Sequence, residues 1–428
     1  MQGGDAKPTA SFLDRIFLFC GLLMLVDLAF FGSGLILPGI GLSLRRMLFV
    51  TILMVATLRR LLARAPFTRT ELALLMLILV LVGMWTLALP ASYGYPLGSA
   101  VGDVSPWLGL ALLAVWPWQA WPLESQWHRF RRYFVALAVM LALLHLAIWA
   151  SLVTGVTNSD LLVAATRLLP TSAAEDSLFL NIAPLASGSF RIYWSSSIFL
   201  MGGLYFLVAY RPARLTPSWL IALLLVCGAL FVTYIRSFLA TGALFCVLPW
   251  LFRLRGARHA AVNARLTVLA MWIIGVALVC IAINPSVLEV LHLSREVSDS
   301  ERTDQAAALL GQFATHPVLG TGFGSFAPQD VRPSDTPSSY ELVFHALLMK
   351  LGIVGMILLV ALLALGLDIA GIAARARAHP RRFASWAAFT TGFWFAGATN
   401  PIVTNFIGMA IIVLLLVDIR HWGVRAGA

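Results

Sequence analysis

Residues 71–90 read ELALLMLILVLVGMWTLALP, and this stretch decides the class of fold. Beyond Glu71 it carries no charge, and at about 1.5 Å per residue such a helix reaches about 30 Å, the hydrocarbon thickness of a bilayer. Comparable apolar runs recur at 13–31, 44–58, 100–119, 133–154, 190–209, 217–234, 237–252, 266–284, 342–367, 384–399 and 402–419. They predict an all-α polytopic membrane protein of about twelve transmembrane helices, with 1–428 forming a single integral membrane domain. Composition agrees, since 60% of the 428 residues are hydrophobic and 11% charged, far from the balance of a soluble domain. The first run is too long, and lacks the small-residue cleavage site, for a removed signal peptide, so it is expected to stay as a helix.

The net charge of +11 comes from 30 basic residues, 28 of them Arg, in short clusters between apolar runs. That placement carries topology rather than nucleic-acid binding. With both termini cytoplasmic, 21 of the 30 basic residues fall inside, among them Arg59, Arg60, Arg64 and Arg69, and later Arg375, Arg377, Arg381 and Arg382. The acidic residues go the other way, 12 of 19 lying outside, so the chemistry is expected at the outer face. Cys20, Cys227, Cys246 and Cys280 fall inside apolar segments without CxxC spacing, which points to packing.

Two outward segments are long, 155–189 and 287–340, the latter lying between helices nine and ten. In the first, Leu161, Leu162, Ala165, Leu168 and Leu169 predict an interfacial helix over 160–169. The second carries Arg295, Glu296, Asp299, Glu301, Arg302 and Asp304, and then Ala306, Leu309, Leu310 and Phe313 at helical spacing. A short amphipathic helix capped near Thr303-Asp304 is expected there. The turn Gly320-Thr-Gly-Phe-Gly324 follows, then Pro333–Ser339 as a lid, and finally Ser339-Tyr-Glu-Leu-Val-Phe-His345 leads into an apolar helix.

Arg191 and Arg236 stand at outer helix ends, against the inside-positive trend. Each either snorkels to lipid phosphate or helps to cradle a diphosphate, which a guanidinium grips bidentately. Arg302 either joins them or pairs with Glu301 or Asp304. Glu341 and His345 are four residues apart, on one face if the helix includes both. A partly desolvated Glu341 suits a general base, with His345 orienting it or acting itself; a single structural hydrogen bond between them is the alternative. Lys350, deeper in the same helix, needs a partner such as Asp27 or a carbonyl. The glycine turn follows no strand, so a tight turn with close backbone packing accounts for it better than a nucleotide fingerprint. His145, in mid-membrane, reads as a satisfied core histidine. No HExxH, paired-carboxylate metal site or P-loop occurs in the sequence, and a mechanism without metal or cofactor is expected.

Three pieces taken together resemble the O-antigen ligase and polymerase superfamily, bacterial envelope glycosyltransferases that use undecaprenyl-diphosphate-linked glycans. They are Ser300-Glu-Arg302, His316-Pro-Val-Leu-Gly-Thr-Gly-Phe-Gly-Ser-Phe326 and Lys350-Leu-Gly-Ile-Val-Gly355. The predicted topology, with cytoplasmic termini and a large periplasmic loop between helices nine and ten, is similar too. Where the ligases carry His followed by a small polar residue, this chain has Glu341-Leu342, which moves the resemblance toward the polymerase branch.

The resemblance implies a multi-pass protein of the bacterial inner membrane with its active site facing the periplasm. It implies a diphosphate grip by Arg191, Arg236 and Arg302, and proton abstraction from the acceptor by Glu341, His345 or both. The expected partners are an undecaprenyl-diphosphate-linked glycan, a glycan acceptor (a lipid-linked repeat or lipid A core) and membrane lipids. Polymerisation of O-antigen or exopolysaccharide repeats is the first reading and ligation to lipid A core the second. A transporter or flippase of lipid-linked glycans ranks third, because few ionisable residues lie deep in the predicted spans.

Overall fold

The computed structural model describes residues 12–31, 43–116, 123–162, 180–184, 190–212, 214, 216–235, 237–238, 241–242, 296–329, 340–398 and 400–421. Most of them are helical. In chain order the helices are α1 (Phe12–Phe30), α2 (Leu44–Leu62), α3 (Arg69–Tyr93), α4 (Leu97–Val104), α5 (Trp107–Val115) and α6 (Leu123–Val153). After a hairpin of β1 (Leu180–Pro184) and β2 (Phe190–Trp194) come α7 (Ser197–Ala209) and α8 (Pro217–Val232). The remaining helices are α9 (Glu296–Thr315), α10 (Val343–Leu367), α11 (Ile369–Ala378), α12 (Pro380–Ala398) and α13 (Phe406–His421). Among the described residues three helices are long and apolar enough to cross a membrane: α3 with 25 residues, the 27-residue Trp127–Val153 part of α6, and α10 with 25. At about 1.5 Å per residue, 25 residues reach about 37 Å. α4 and α5, bent by 45°, make a fourth span if taken together. Almost all of 237–252, all of 266–284, the segment 163–179 and the expected lid at 333–339 lie outside the described residues.

The apolar run that begins at residue 190 does not open as a helix. Arg191-Ile-Tyr-Trp194 alternates polar with β-branched or aromatic residues, a pattern suited to a pleated strand. β2 pairs antiparallel with β1 in the register Leu180↔Trp194, Ile182↔Ile192, Pro184↔Phe190. Ile192 and Trp194 are buried on one face, and the helix starts only at Ser197. The all-α expectation is therefore amended by one two-stranded hairpin among the described residues.

The chain divides into two compact units, one comprising Met1–Thr68, Ala114–Leu207 and Pro212–Thr233, the other Arg69–Leu113, Val208–Arg211 and Tyr234–Ala428. In the first, α1 and α2 run antiparallel and are tied at both ends. Arg45 donates to Asp27 at 2.7 Å and Arg59 to Asp14 at 3.1 Å, with both carboxylates 1% exposed. Arg60 donates to the Ala114 carbonyl in the last turn of α5 at 2.8 Å and to the Pro66 carbonyl in the α2–α3 connection at 2.6 Å, while lying over the Phe67 ring. α7 lies so close to α6 that a Cβ on Gly203 would overlap that of Ala138, and Phe134 stacks on Phe199 at 4.0 Å.

In the second unit one guanidinium fixes the helix directions. Arg420, at the end of α13, donates to the carbonyls of Gly366, Leu365 and Leu113 at 2.8, 3.0 and 3.0 Å. The carboxyl ends of α5, α10 and α13 therefore meet at one place, as a cation at helix C-termini favours. The start of α10 lies at the other end of the unit.

Candidate functional site

α9 begins at Glu296, two turns earlier than the expected cap at Thr303-Asp304. Its apolar stripe docks as the spacing predicts. Ala306 and Leu309 are buried, and with Phe313 they join Tyr340, Leu342, Ala346 and Met349 in one cluster; Leu310 points away and is exposed. Docking lays Arg302, one turn before Ala306, against Glu341. Arg302 Nε and Nη2 each lie 3.0 Å from Glu341 Oε2. From the same helix, buried Gln305 accepts the Leu342 N–H at 2.9 Å, satisfying a donor at the open start of α10.

Glu341 precedes α10, whose first residue is Val343, so it is not one helical turn from His345. Its side chain is 47% exposed and that of Arg302 30%. Glu341 is thus only partly desolvated, and it sits in a half-exposed ion pair. Such a pair contributes about 0–1 kcal/mol to stability, and a ligand can part it at little cost. No hydrogen bond joins Glu341 to His345, whose buried Nδ1 has no partner.

The glycine turn is built into the backbone of α10. The helix breaks at Gly352, with φ 62° and ψ −173°. There the Met349 and Lys350 carbonyls accept from Thr321 and Gly322 N–H at 3.1 and 2.8 Å, while Ile353 and Val354 N–H donate to Pro317 and Val318 at 2.9 and 3.0 Å. Two helical hydrogen bonds are exchanged for four to the turn. Close approach requires glycine, since a Cβ on Gly320 would fall 2.5 Å from Lys350 O and one on Gly324 2.5 Å from Ala100 N.

Trp85 clamps the same turn. Residues 81–88 of α3 are π-helical, which sets Leu89 N–H on Met84 O and would pair Trp85 O with residue 90. That residue is proline and has no N–H. The freed Trp85 carbonyl accepts Phe323 N–H at 2.7 Å, and its indole N–H is shared by Leu319 and Leu351 carbonyls at 2.7 and 3.0 Å.

Lys350 finds its partner in Asp103 of α4, not in Asp27, which holds Arg45. Its Nζ lies 2.5 Å from Asp103 Oδ2, an atom that also accepts Gly324 N–H at 2.8 Å. Nζ is also 6.0 Å from the Tyr340 ring centroid, and Tyr340 Oη accepts Ala327 N–H at 2.7 Å. Nearby, the Tyr95 ring meets Phe326 edge-on at 5.6 Å, and burial raises its phenol above the ordinary value, with Tyr93 adding to the shift.

The structure brings together Arg302 and Glu341, and places His345 two residues into α10. Arg191 belongs to the other unit, on β2 opposite Ala183. Burial pushes the phenol of Tyr193, on the same strand face, upward, and the Arg191 charge opposes that shift. Arg236 lies outside the described residues. His145 is the satisfied core residue its position suggests: Nδ1 is 2.9 Å from Leu141 O and Nε2 2.8 Å from Ser197 Oγ, which also accepts Trp194 N–H at 2.9 Å. Among the described residues no group of three or more His, Cys, Asp or Glu is placed to hold a metal ion. Compared with known proteins, the chain matches no family model, and no curated protein aligns with it significantly. Trp85, Pro90, Asp103 and Gln305 escaped the sequence reading. Only Asp103 carried a signal, an acidic residue in an apolar stretch and expected at the outer face.

Proposed function

We propose that this chain is a membrane glycosyltransferase that moves a glycan from an undecaprenyl-diphosphate donor to a glycan acceptor at the periplasmic face of the bacterial inner membrane, polymerising O-antigen or exopolysaccharide repeats. The observation that carries the reading is the Arg302–Glu341 pair, held half-exposed at the start of an apolar helix by a docked amphipathic one. The motifs around it support the same reading, as does its position away from the Arg420 end, where cytoplasmic arginines are expected.

The chemistry needs few groups. An acceptor hydroxyl oxygen attacks the anomeric carbon, the bond from that carbon to the diphosphate oxygen breaks, and the electron pair leaves on the diphosphate. Arg302 neutralises that charge once the ligand has parted it from Glu341, with Arg191 and Arg236 as the further cations the resemblance implies. Glu341 takes the hydroxyl proton. Direct displacement inverts the anomeric centre, and neither metal nor nucleotide enters. Ligation to lipid A core is the second reading, favoured by His345, whose unpartnered Nδ1 offers the kind of base the ligases resembled here carry.

The test supplies membranes containing the protein with labelled lipid-linked repeats. Elongation that disappears in Glu341→Gln supports polymerisation; transfer of finished polymer to lipid A core supports ligation. Neither product from the native protein refutes both.

A further inference from the structure

The Asp103–Lys350 pair lies one network away from Glu341, and the proposal above does not use it. Lys350 is 7% exposed and Asp103 21%, too buried to serve as an ordinary surface pair. Two contacts lead from it toward Glu341, and a third links them. Asp103 Oδ2 holds Gly324 N–H, which fixes the C-terminal side of the glycine turn. Lys350 Nζ faces the ring of Tyr340, the residue bonded to Glu341. Tyr340 Oη in turn holds Ala327 N–H, three residues beyond Gly324. The circuit closes through the backbone of 324–327, so shifting any member moves Tyr340 and with it the carboxylate that Arg302 meets.

We infer that Asp103 and Lys350 are positioning residues that set where Glu341 stands relative to Arg302. The inference rests on Glu341 acting at the site proposed above, and its effect runs through Tyr340 rather than through contact with substrate. A buried pair that served stability alone would be replaceable by apolar side chains of similar volume without consequence for the site. A positioning pair is not.

The experiment uses the double substitution Asp103→Leu with Lys350→Met in the full-length protein, which leaves no uncompensated buried charge. Either single change, leaving one, risks failure to fold. Hydrogen exchange is read first, because it needs no activity. Protection at Ala327 and Leu342 is expected to fall about 10-fold or more while the Arg420-capped carboxyl end of α10 keeps its protection. Unaltered protection at Ala327 and Leu342 overturns the inference. The second reading is a double-mutant cycle on transfer activity. Glu341→Gln costs about 100-fold or more in the native background if it removes the base, and under about 10-fold in the Asp103→Leu, Lys350→Met background if the pair positions it. Equal penalties in both backgrounds also overturn the inference. Loss of protection without any effect of Glu341→Gln on native transfer retains the structural coupling and refutes the role given to Glu341 instead.

Discussion

Gly352→Ala tests the glycine-locked break in α10 most directly. At φ 62° and ψ −173° the backbone is in a region occupied in practice by glycine alone, where a side chain costs about 1–3 kcal/mol. A Cβ would also stand 2.5 Å from Val318 O and 2.6 Å from Leu319 C. Both are backbone atoms, so no rotamer change relieves the contact and the turn must withdraw. Withdrawal loses the four exchanged hydrogen bonds, each about 1 kcal/mol net, for a total of about 5 kcal/mol. At about 2–4 °C per kcal/mol for a unit of this size, the unfolding midpoint in detergent should fall by about 10–20 °C. Gly311→Ala is the control: it sits on the exposed side of α9 with nothing within 4 Å of a built Cβ, and alanine there should stabilise by about 0.5–1 kcal/mol. A Gly352→Ala midpoint within about 3 °C of native, or an equal loss in Gly311→Ala, would refute the reasoning.

Other outcomes follow from named contacts. Trp85→Phe removes the indole donor from two carbonyls and should destabilise by about 2–3 kcal/mol, while Trp85→His, which retains a ring N–H, should recover part of that loss in the same thermal assay. Arg302→Lys should change stability by less than about 1 kcal/mol, since the pair is half-exposed, yet cut transfer at least about 10-fold because bidentate contact with a diphosphate is lost; unchanged turnover would return Arg302 to an ordinary surface role. Asp27→Leu alone removes the carboxylate that Arg45 meets at 2.7 Å and should cost about 3–5 kcal/mol, whereas Asp27→Leu with Arg45→Met should be close to neutral by thermal midpoint. Ser197, buried between His145 and Trp194 N–H, should resist labelling by serine-directed phosphonates, and Ser197→Ala should lower stability by about 1–3 kcal/mol with transfer intact.

How much could be read without coordinates varied with the range of the interaction. The apolar runs at 71–90, 133–154 and 342–367 needed only composition and length, and each coincides to within one residue with part or all of a helix that, among the described residues, is able to cross a membrane. The stripe Ala306, Leu309, Phe313 was legible because helical period is local, and it docks where the spacing says it should. The run from residue 190 misled because hydrophobicity alone does not separate a short strand from a helix. The partner of Lys350 stands 247 positions away in sequence, and the outward placement expected of Asp103 does not by itself pair it with Lys350.

By itself the sequence determined that this chain is built largely of apolar helices, because charge is costly to bury in hydrocarbon, and on the same ground it led to the expectation of polar chemistry between 287 and 345. Only the tertiary structure decided what the glycines are for. In one dimension Gly320, Gly322 and Gly324 read as a tight turn with close packing and Gly352 as part of a helix, yet in three they let the turn take over the broken hydrogen-bond ladder of that helix. That role depends on which carbonyls are left open by a kink at Gly352 and by a proline at residue 90, and unsatisfied backbone groups become visible only when the chain is folded.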